Sequence, residues 1–248
     1  MDDDALMAVL RQAVDAVAAA LAGLDDWGPA GTRPGQYRCD LVADEAALAV
    51  LDRAGLGAVS EESGVHHPDR PVVVMLDPVD GSTNASQGLP WYATSLCALD
   101  DDGPRAAVVA NQASGRCWEA VRGGGARRDG RPIAPSACTV VADSIVGLSG
   151  YPAHDLGWRQ YRALGAAALD LCAVAEGTLD GYVDCSPVPL APWDYLGALL
   201  VCTEAGAVVA EAQSRELVVR GHGERRTVVA AGTPELLAAL LEERATFP

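Results

Sequence analysis

Lysine is absent from the 248 residues: all 18 basic side chains are arginine, against 34 aspartates and glutamates, giving a formal charge of −16. The missing amine excludes a Schiff-base lysine and the lysine of a Walker-type nucleotide loop. Aromatic residues are scarce at 5%, with a single phenylalanine, although half the chain is apolar, so the interior is built mostly of Ala, Val and Leu. The seven cysteines (39, 97, 117, 138, 172, 185 and 202) are odd in number and scattered, with no Cys-x-x-Cys. That pattern argues against a disulfide framework and against a zinc site. No uninterrupted apolar run reaches the ~18 residues of a membrane span, and Met1-Asp2-Asp3-Asp4 lacks the basic start of a signal peptide. A chain this acidic is repelled by nucleic-acid phosphates and by anionic membranes. These features predict a reduced, cytoplasmic protein with no nucleic-acid or membrane partner. If its substrate is an anion, something must reverse the negative field locally.

The length fits one large domain or two small ones. Leu6, Val9, Leu10, Val14, Val17 and Leu21 form one stripe of a helix over 4–24, and a second helical pattern runs over 43–54 after Asp40-Leu41-Val42. The short β-branched run 72–76 reads as a fully buried strand. Further strands are predicted at 94–99 and 106–109, with a hairpin-like segment around Arg122 to Gly130. Near residue 136 the character changes. Beyond it come a strand over 140–148, a helix over 165–175, a short strand at 182–183, a helix over 193–205, and strands at 207–209 and 227–231. Thr233-Pro234-Glu235 then opens a last helix as cap, first-turn proline and dipole-matching acid. The prediction is one compact unit of two parts, an α+β segment 1–135 and an α/β segment 136–248.

Chemistry concentrates in Asp77-Pro78-Val79-Asp80-Gly81-Ser82-Thr83-Asn84. Pro78 disfavours a helical Asp77, so the buried strand is expected to pass straight into a turn. Two carboxylates three residues apart on that turn can converge, and their repulsion is relieved by a proton or by a hard divalent cation such as Mg²⁺. Gly81-Ser82-Thr83 adds backbone N–H groups at a helix start, where phosphate binds readily. Taken alone, the segment also reads as an ordinary surface turn. Upstream, Glu61-Glu62-Ser63 follows an apolar stretch, and it also reads as a solvated acidic pair. Downstream, Pro192-Trp193-Asp194 opens an apolar helix, and it also reads as an aromatic anchor beside a capping Asp.

Together the three segments resemble the inositol monophosphatase family, within the Mg²⁺-dependent, lithium-sensitive phosphatase superfamily. The family's Glu-Glu motif appears as Glu61-Glu62-Ser63. Its Asp-Pro-x-Asp-Gly-[Thr/Ser]-x-Asn signature appears as Asp77 to Asn84, followed by Gly88, Pro90 and Thr94-Ser95-Leu96. Its Trp-Asp motif appears as Trp193-Asp194, followed by Glu204-Ala205-Gly206. The motifs stand in the family's order from about residue 40 to the last strand. The resemblance implies a layered αβαβα sandwich of the inositol monophosphatase/fructose-1,6-bisphosphatase type and a homodimer. It implies one Mg²⁺ held by Glu61, Asp77 and the carbonyl of Val79, a second held by Asp77, Asp80 and Asp194, and a third at Glu61. Ser82 would position the attacking water, with Asp44 as the acid paired to its hydroxyl. Phosphate would rest on the N–H groups of Gly81, Ser82 and Thr83.

Substrate contacts are implied less closely. The family's Gly-[Ser/Thr]-Ala element, which contacts sugar or inositol hydroxyls, matches Gly165-Ala166-Ala167, so its hydroxyl is missing. The nearby acid matches Asp184, at the head of a longer loop, 184–191. Ala85 stands where an aromatic is usual, and the lysine often found near the metal-site water has only Gln36 or Arg38 in its place. None of these departures touches a metal ligand. The implied activity is hydrolysis of a small sugar or inositol phosphate, inositol 1-phosphate first. The alternatives are histidinol phosphate, fructose 1,6-bisphosphate, 3′-phosphoadenosine 5′-phosphate or NADP, or a regulatory interaction protein on the same fold.

Overall fold

The computed structural model describes residues 1–247. Helix α1 (Asp3–Ala22) opens where the Asp2 carboxylate accepts the Ala5 N–H at 2.8 Å. Helix α2 (Arg38–Arg53) begins earlier than its apolar periodicity predicts, because Asp40 reaches back to accept the Tyr37 N–H at 2.8 Å. Residues 40–42 therefore lie in the first turn of the helix. Strands β1 (Gly57–Ser60), β2 (Gly64–His66) and β3 (Val73–Asp80) follow, then a short helix α3 (Ser82–Ser86). Strands β4 (Ala93–Asp100), β5 (Gly103–Asn111), β6 (Cys117–Val121), β7 (Gly125–Arg128) and β8 (Arg131–Pro132) complete an eight-stranded sheet of order β2-β1-β3-β4-β5-β6-β7-β8. Only β1 and β3 pair in parallel.

The second sheet comes from the later chain. The strand expected over 140–148 is shorter. Its start is a 3₁₀ turn, Val141–Asp143, closed by the Ser144 N–H and hydroxyl on the Val141 carbonyl. Strand β9 (Ile145–Gly150) then begins, followed by β10 (Gln160–Arg162), helix α4 (Ala167–Ala175), β11 (Gly181–Cys185), helix α5 (Pro192–Ala205), β12 (Val208–Glu211), β13 (Val228–Ala231) and helix α6 (Pro234–Arg244). Helix α4 starts two residues later than predicted because Gly165 is left-handed, with φ of +85°. The sheet order is β10-β9-β11-β13-β12.

Side-chain alternation sorts these elements into layers. Along β3, Val74 and Leu76 face α1 and α2, beside Leu6, Leu10 and Leu51, while Val73 and Met75 face the other way into a core shared with α4 and α5. Burial on both faces explains why β3 reads as a continuous apolar run. The same central core takes Tyr182, Val228 and Ala230 from the second sheet, and α6 covers that sheet's outer face through Leu236 and Leu240. The order is helices, sheet, helices, sheet, helix: the five-layered αβαβα arrangement expected above.

Among the described residues, one helix, α1, is long and apolar enough to cross a membrane by length and composition. Its stripe Leu6, Leu10, Ala13, Val17 and Leu21 is instead buried against α2 and the first sheet.

Candidate active site

The ends of three elements bring carboxylates together. Glu61 directly follows β1, and its N–H donates to the Leu76 carbonyl at 3.1 Å, setting it beside the end of β3. Strand β3 does not turn at Asp77 as expected but continues to Asp80, its pairing with β4 shifting between these two residues. Proline brings no N–H to the ladder. The Pro78 carbonyl is taken by the Thr94 hydroxyl at 2.9 Å, and the Val79 N–H donates to the Asp77 carboxylate at 3.0 Å. Both acids of the signature thus flank a bulge that carries Val79. Asp194 sits in the first turn of α5, where it accepts the Ala191 N–H at 2.7 Å. One carboxylate oxygen each from Glu61, Asp77 and Asp194 lies within 4.8 Å of the other two. Asp80 lies beside this trio and accepts the Ala168 N–H at 2.7 Å, on the opening turn of α4.

The electrostatics follow from burial and crowding. Burial, reinforced by Glu61, Asp80 and Asp194, holds the Asp77 carboxyl well above the ordinary range. Burial with Asp194 and Glu62 nearby pushes Glu61 up to about 8. Asp80 rises to about 8, burial and the Asp170 and Glu61 charges outweighing its backbone donors. Asp194 rises to about 7, again from burial first and Asp80 next. Such a trio either holds protons or holds a cation, and its all-oxygen donors suit a hard divalent ion.

Asp44, expected beside Ser82, bonds Ser60 instead, and Asp40 is the α2 acid that shares a cavity with Ser82. Burial lifts the Asp40 carboxylate to about 6 against the pull of the Tyr37 N–H. Asp44, one turn further along α2, faces β1 and accepts the Ser60 hydroxyl. The Ser60 oxygen in turn accepts the Glu62 N–H at 3.1 Å, so Asp44 braces the Glu61-Glu62 corner from behind.

Gly81 sits at the start of α3 with φ of +86°. A Cβ there would meet the Gly165 and Trp91 carbonyl oxygens at 3.0 Å and the Ala166 methyl at 3.1 Å. The Thr83 hydroxyl is exposed and 3.4 Å from that of Tyr37. Asn84 ties the two parts of the chain together, its amide donating to the Trp91 and Leu164 carbonyls at 2.8 and 2.7 Å. Gly165, Ala166 and Ala167 therefore stand directly against the signature loop. Asp184, buried on β11, accepts the Ser186 N–H at 2.9 Å, while its second oxygen has no hydrogen-bond partner. Burial raises it to about 6.

Three basic side chains at the site were not legible in any motif. A cavity of about 380 Å³ is lined by Arg33, Asp40, Glu61, Glu62, Ser82, Trp193, His222 and Arg225, with Pro34 and Gly35 at its edge. Arg33 pairs with Glu62 at 2.8 Å and donates to the Glu61 carbonyl at 3.3 Å. Gln36 also donates to Glu62, and Arg38 is on the surface with Asp26. His222 and Arg225 come from the loop between β12 and β13 and pack on Trp193.

The chain belongs to the inositol monophosphatase family, whose model matches residues 38–246. It is 33% identical over 207 residues to the fructose-1,6-bisphosphatase/inositol-1-monophosphatase of Archaeoglobus fulgidus, covering 80% of this chain and 81% of that one. It is 30% identical to the Nus factor SuhB of Salmonella typhimurium, covering 74% of this chain and 71% of that one. Among solved structures, an extragenic suppressor from Pyrococcus furiosus superposes with a TM-score of 0.84 at 25% identity, covering 96% of this chain and all of that one.

Proposed function

We propose that the chain is a Mg²⁺-dependent phosphomonoesterase that hydrolyses a small sugar or inositol phosphate, inositol 1-phosphate being the first candidate. The observation carrying this reading is the convergence of Glu61, Asp77 and Asp194, each with an oxygen within 4.8 Å of the others, beside the cavity shared by Ser82 and Asp40. The donor set fits a hard divalent ion, and Glu61, Asp77, the Val79 carbonyl, Asp80 and Asp194 are the groups that would hold two or three of them. Bound there, Mg²⁺ supplies charge neutralisation and lowers the pKa of water. Ser82 spends its O–H on Asp40 and directs its lone pairs at the attacking water, fixing its position. The backbone of Gly81, Ser82 and Thr83 cradles the phosphoryl group. Asp184 and Asp194 are the acids that would take the substrate hydroxyls. Gly165, Ala166 and Ala167 form the floor beneath the alcohol. Water adds to phosphorus, the ester oxygen leaves as the alcohol, and inorganic phosphate remains.

Ala166 in place of a hydroxyl residue removes one contact to the alcohol, which leaves the alcohol the less determined half of the substrate. Histidinol phosphate, fructose 1,6-bisphosphate, 3′-phosphoadenosine 5′-phosphate and NADP are therefore the alternatives. The double name of the Archaeoglobus relative supports testing the bisphosphate beside inositol phosphate. The likeness to the Nus factor SuhB supports a second reading, a regulatory interaction protein on the same fold. Residues 1–135 would then serve as the metal-binding part and 136–248 as the part bringing Asp194 and the substrate floor. A cytoplasmic homodimer inhibited by lithium completes the proposal. The test is a panel of phosphomonoesters with and without Mg²⁺. Release of phosphate from at least one, abolished by chelation, supports the enzyme; silence across the panel favours the interaction protein.

A further inference from the structure

We propose that Arg225 and His222 form an anion clamp on the Trp193 wall of the site and contact the phosphoryl group itself. This rests on the phosphatase reading for its substrate, but not for its geometry. The Arg225 guanidinium lies 5.4 Å over the Trp193 ring, and the His222 ring packs on the same indole, tilted by 44° with its centroid 4.7 Å away. The Arg225 Nη1 donates to the His222 and Glu224 carbonyls at 3.0 and 2.7 Å, which fixes the fork in place. Among the described residues Nε and Nη2 have no partner and no carboxylate lies within ion-pair distance. Arg33, the other guanidinium of the cavity, is already neutralised by Glu62. Arg225 acts on the Asp194 charge without pairing with it, so its Nε and Nη2 remain free to donate to an anionic oxygen that enters the cavity.

A second observation points the same way. The His222 Nε2 is buried without a hydrogen-bond partner, although this side chain lines the cavity. A phosphate oxygen entering the cavity would satisfy it. The clamp shares its cavity with Ser82, Asp40 and Glu61, the groups placed around the attacking water. The clamp therefore belongs to the phosphoryl end of the substrate, and its contribution should be common to all esters the site accepts.

The test uses inorganic phosphate as the probe, with Mg²⁺ present throughout. The phosphate concentration that half-saturates the thermal stabilisation of the protein is measured for wild type, Arg225→Gln, Arg225→Lys, His222→Ala and the control Arg38→Gln. Loss of a charge-assisted contact is expected to raise that concentration about tenfold or more in Arg225→Gln. Arg225→Lys should fall between it and wild type, and His222→Ala should show a smaller rise. Arg38→Gln, outside the cavity, should match wild type. An unchanged value in Arg225→Gln, or an equal rise in the control, overturns the proposal. If Arg225→Gln does not fold, Arg225→Lys decides, since a wild-type value there overturns it too. In turnover, kcat/KM should fall by the same factor for p-nitrophenyl phosphate and inositol 1-phosphate. A loss confined to one ester would place the contact on the leaving group and overturn the assignment. If wild type cleaves neither ester, the phosphatase reading fails, while the binding arm still decides the clamp.

Discussion

Asp40 and Asp44 stand one helical turn apart on α2, and the register of that turn decides which of them faces the site. Asp40 shares the cavity with Ser82 and also caps the helix through the Tyr37 N–H; Asp44 braces Ser60 behind the Glu61-Glu62 corner. Asp40→Asn should lower kcat on the order of a hundredfold, the scale of a lost proton-transfer arrangement. Asp44→Asn, whose amide oxygen still accepts the Ser60 hydroxyl, should retain most activity. Steady-state assays of the two variants check this, and equal losses would contradict the assignment. Gly81→Ala places a methyl 3.0 Å from two carbonyl oxygens in a left-handed backbone, so it should cost about 1–3 kcal/mol in a denaturant melt. The clustered acids Glu61, Asp77, Asp80 and Asp194 were readable because each lies inside a short ordered motif. The exchange of Asp40 for Asp44 came from the start of α2, where the apolar stripe begins only after Asp40 has already closed the first turn. Arg33, His222 and Arg225 were invisible because no local pattern links their loops to the acidic motifs; only folding brings them to one cavity.

Strand β3 joins the fold to its chemistry. Its apolar half is buried on both faces, so the acids at its end are delivered at a fixed register against β1 and β4. Asp-Pro and Asp-Gly are turn formers, and from composition alone they read as a turn. The ladder to β4 overrides that preference and converts it to a bulge. Helix α4 completes the arrangement, since its first turn donates to Asp80 while the preceding loop is held by Asn84. Asn84→Ala leaves the Leu164 and Trp91 carbonyls without their donor. It should destabilise the protein by about 1–3 kcal/mol and raise KM, because the floor at Gly165 to Ala167 loses its tie to the signature loop. Denaturant melts together with steady-state kinetics test both parts.

For the molecule as a whole, the charge of −16 at first weighed against any anionic ligand. The structure gathers several of those charges at one place, where Glu61 and Asp80 rise to about 8 and Asp194 to about 7. Their ordinary values are 4.5 for glutamate and 3.8 for aspartate. Between those values and the raised ones the folded state binds more protons than the unfolded chain, so metal-free stability falls as pH rises through that window. The melting temperature of chelated protein should therefore drop between about pH 5 and pH 9. Added Mg²⁺ should restore it most strongly at the alkaline end, where the carboxyls are already ionised, and should release protons on binding toward the acid end. A metal-free melting temperature that rises across the window would contradict the crowded-carboxylate description. The central claim, that this cluster is a metal-dependent phosphatase centre, is tested most directly by phosphate release from wild type and Asp194→Asn, with Mg²⁺ and with a chelator. The prediction is release by wild type with Mg²⁺ only, and none by Asp194→Asn at an unchanged circular dichroism spectrum. Undiminished release by Asp194→Asn, or release indifferent to the chelator, would contradict it.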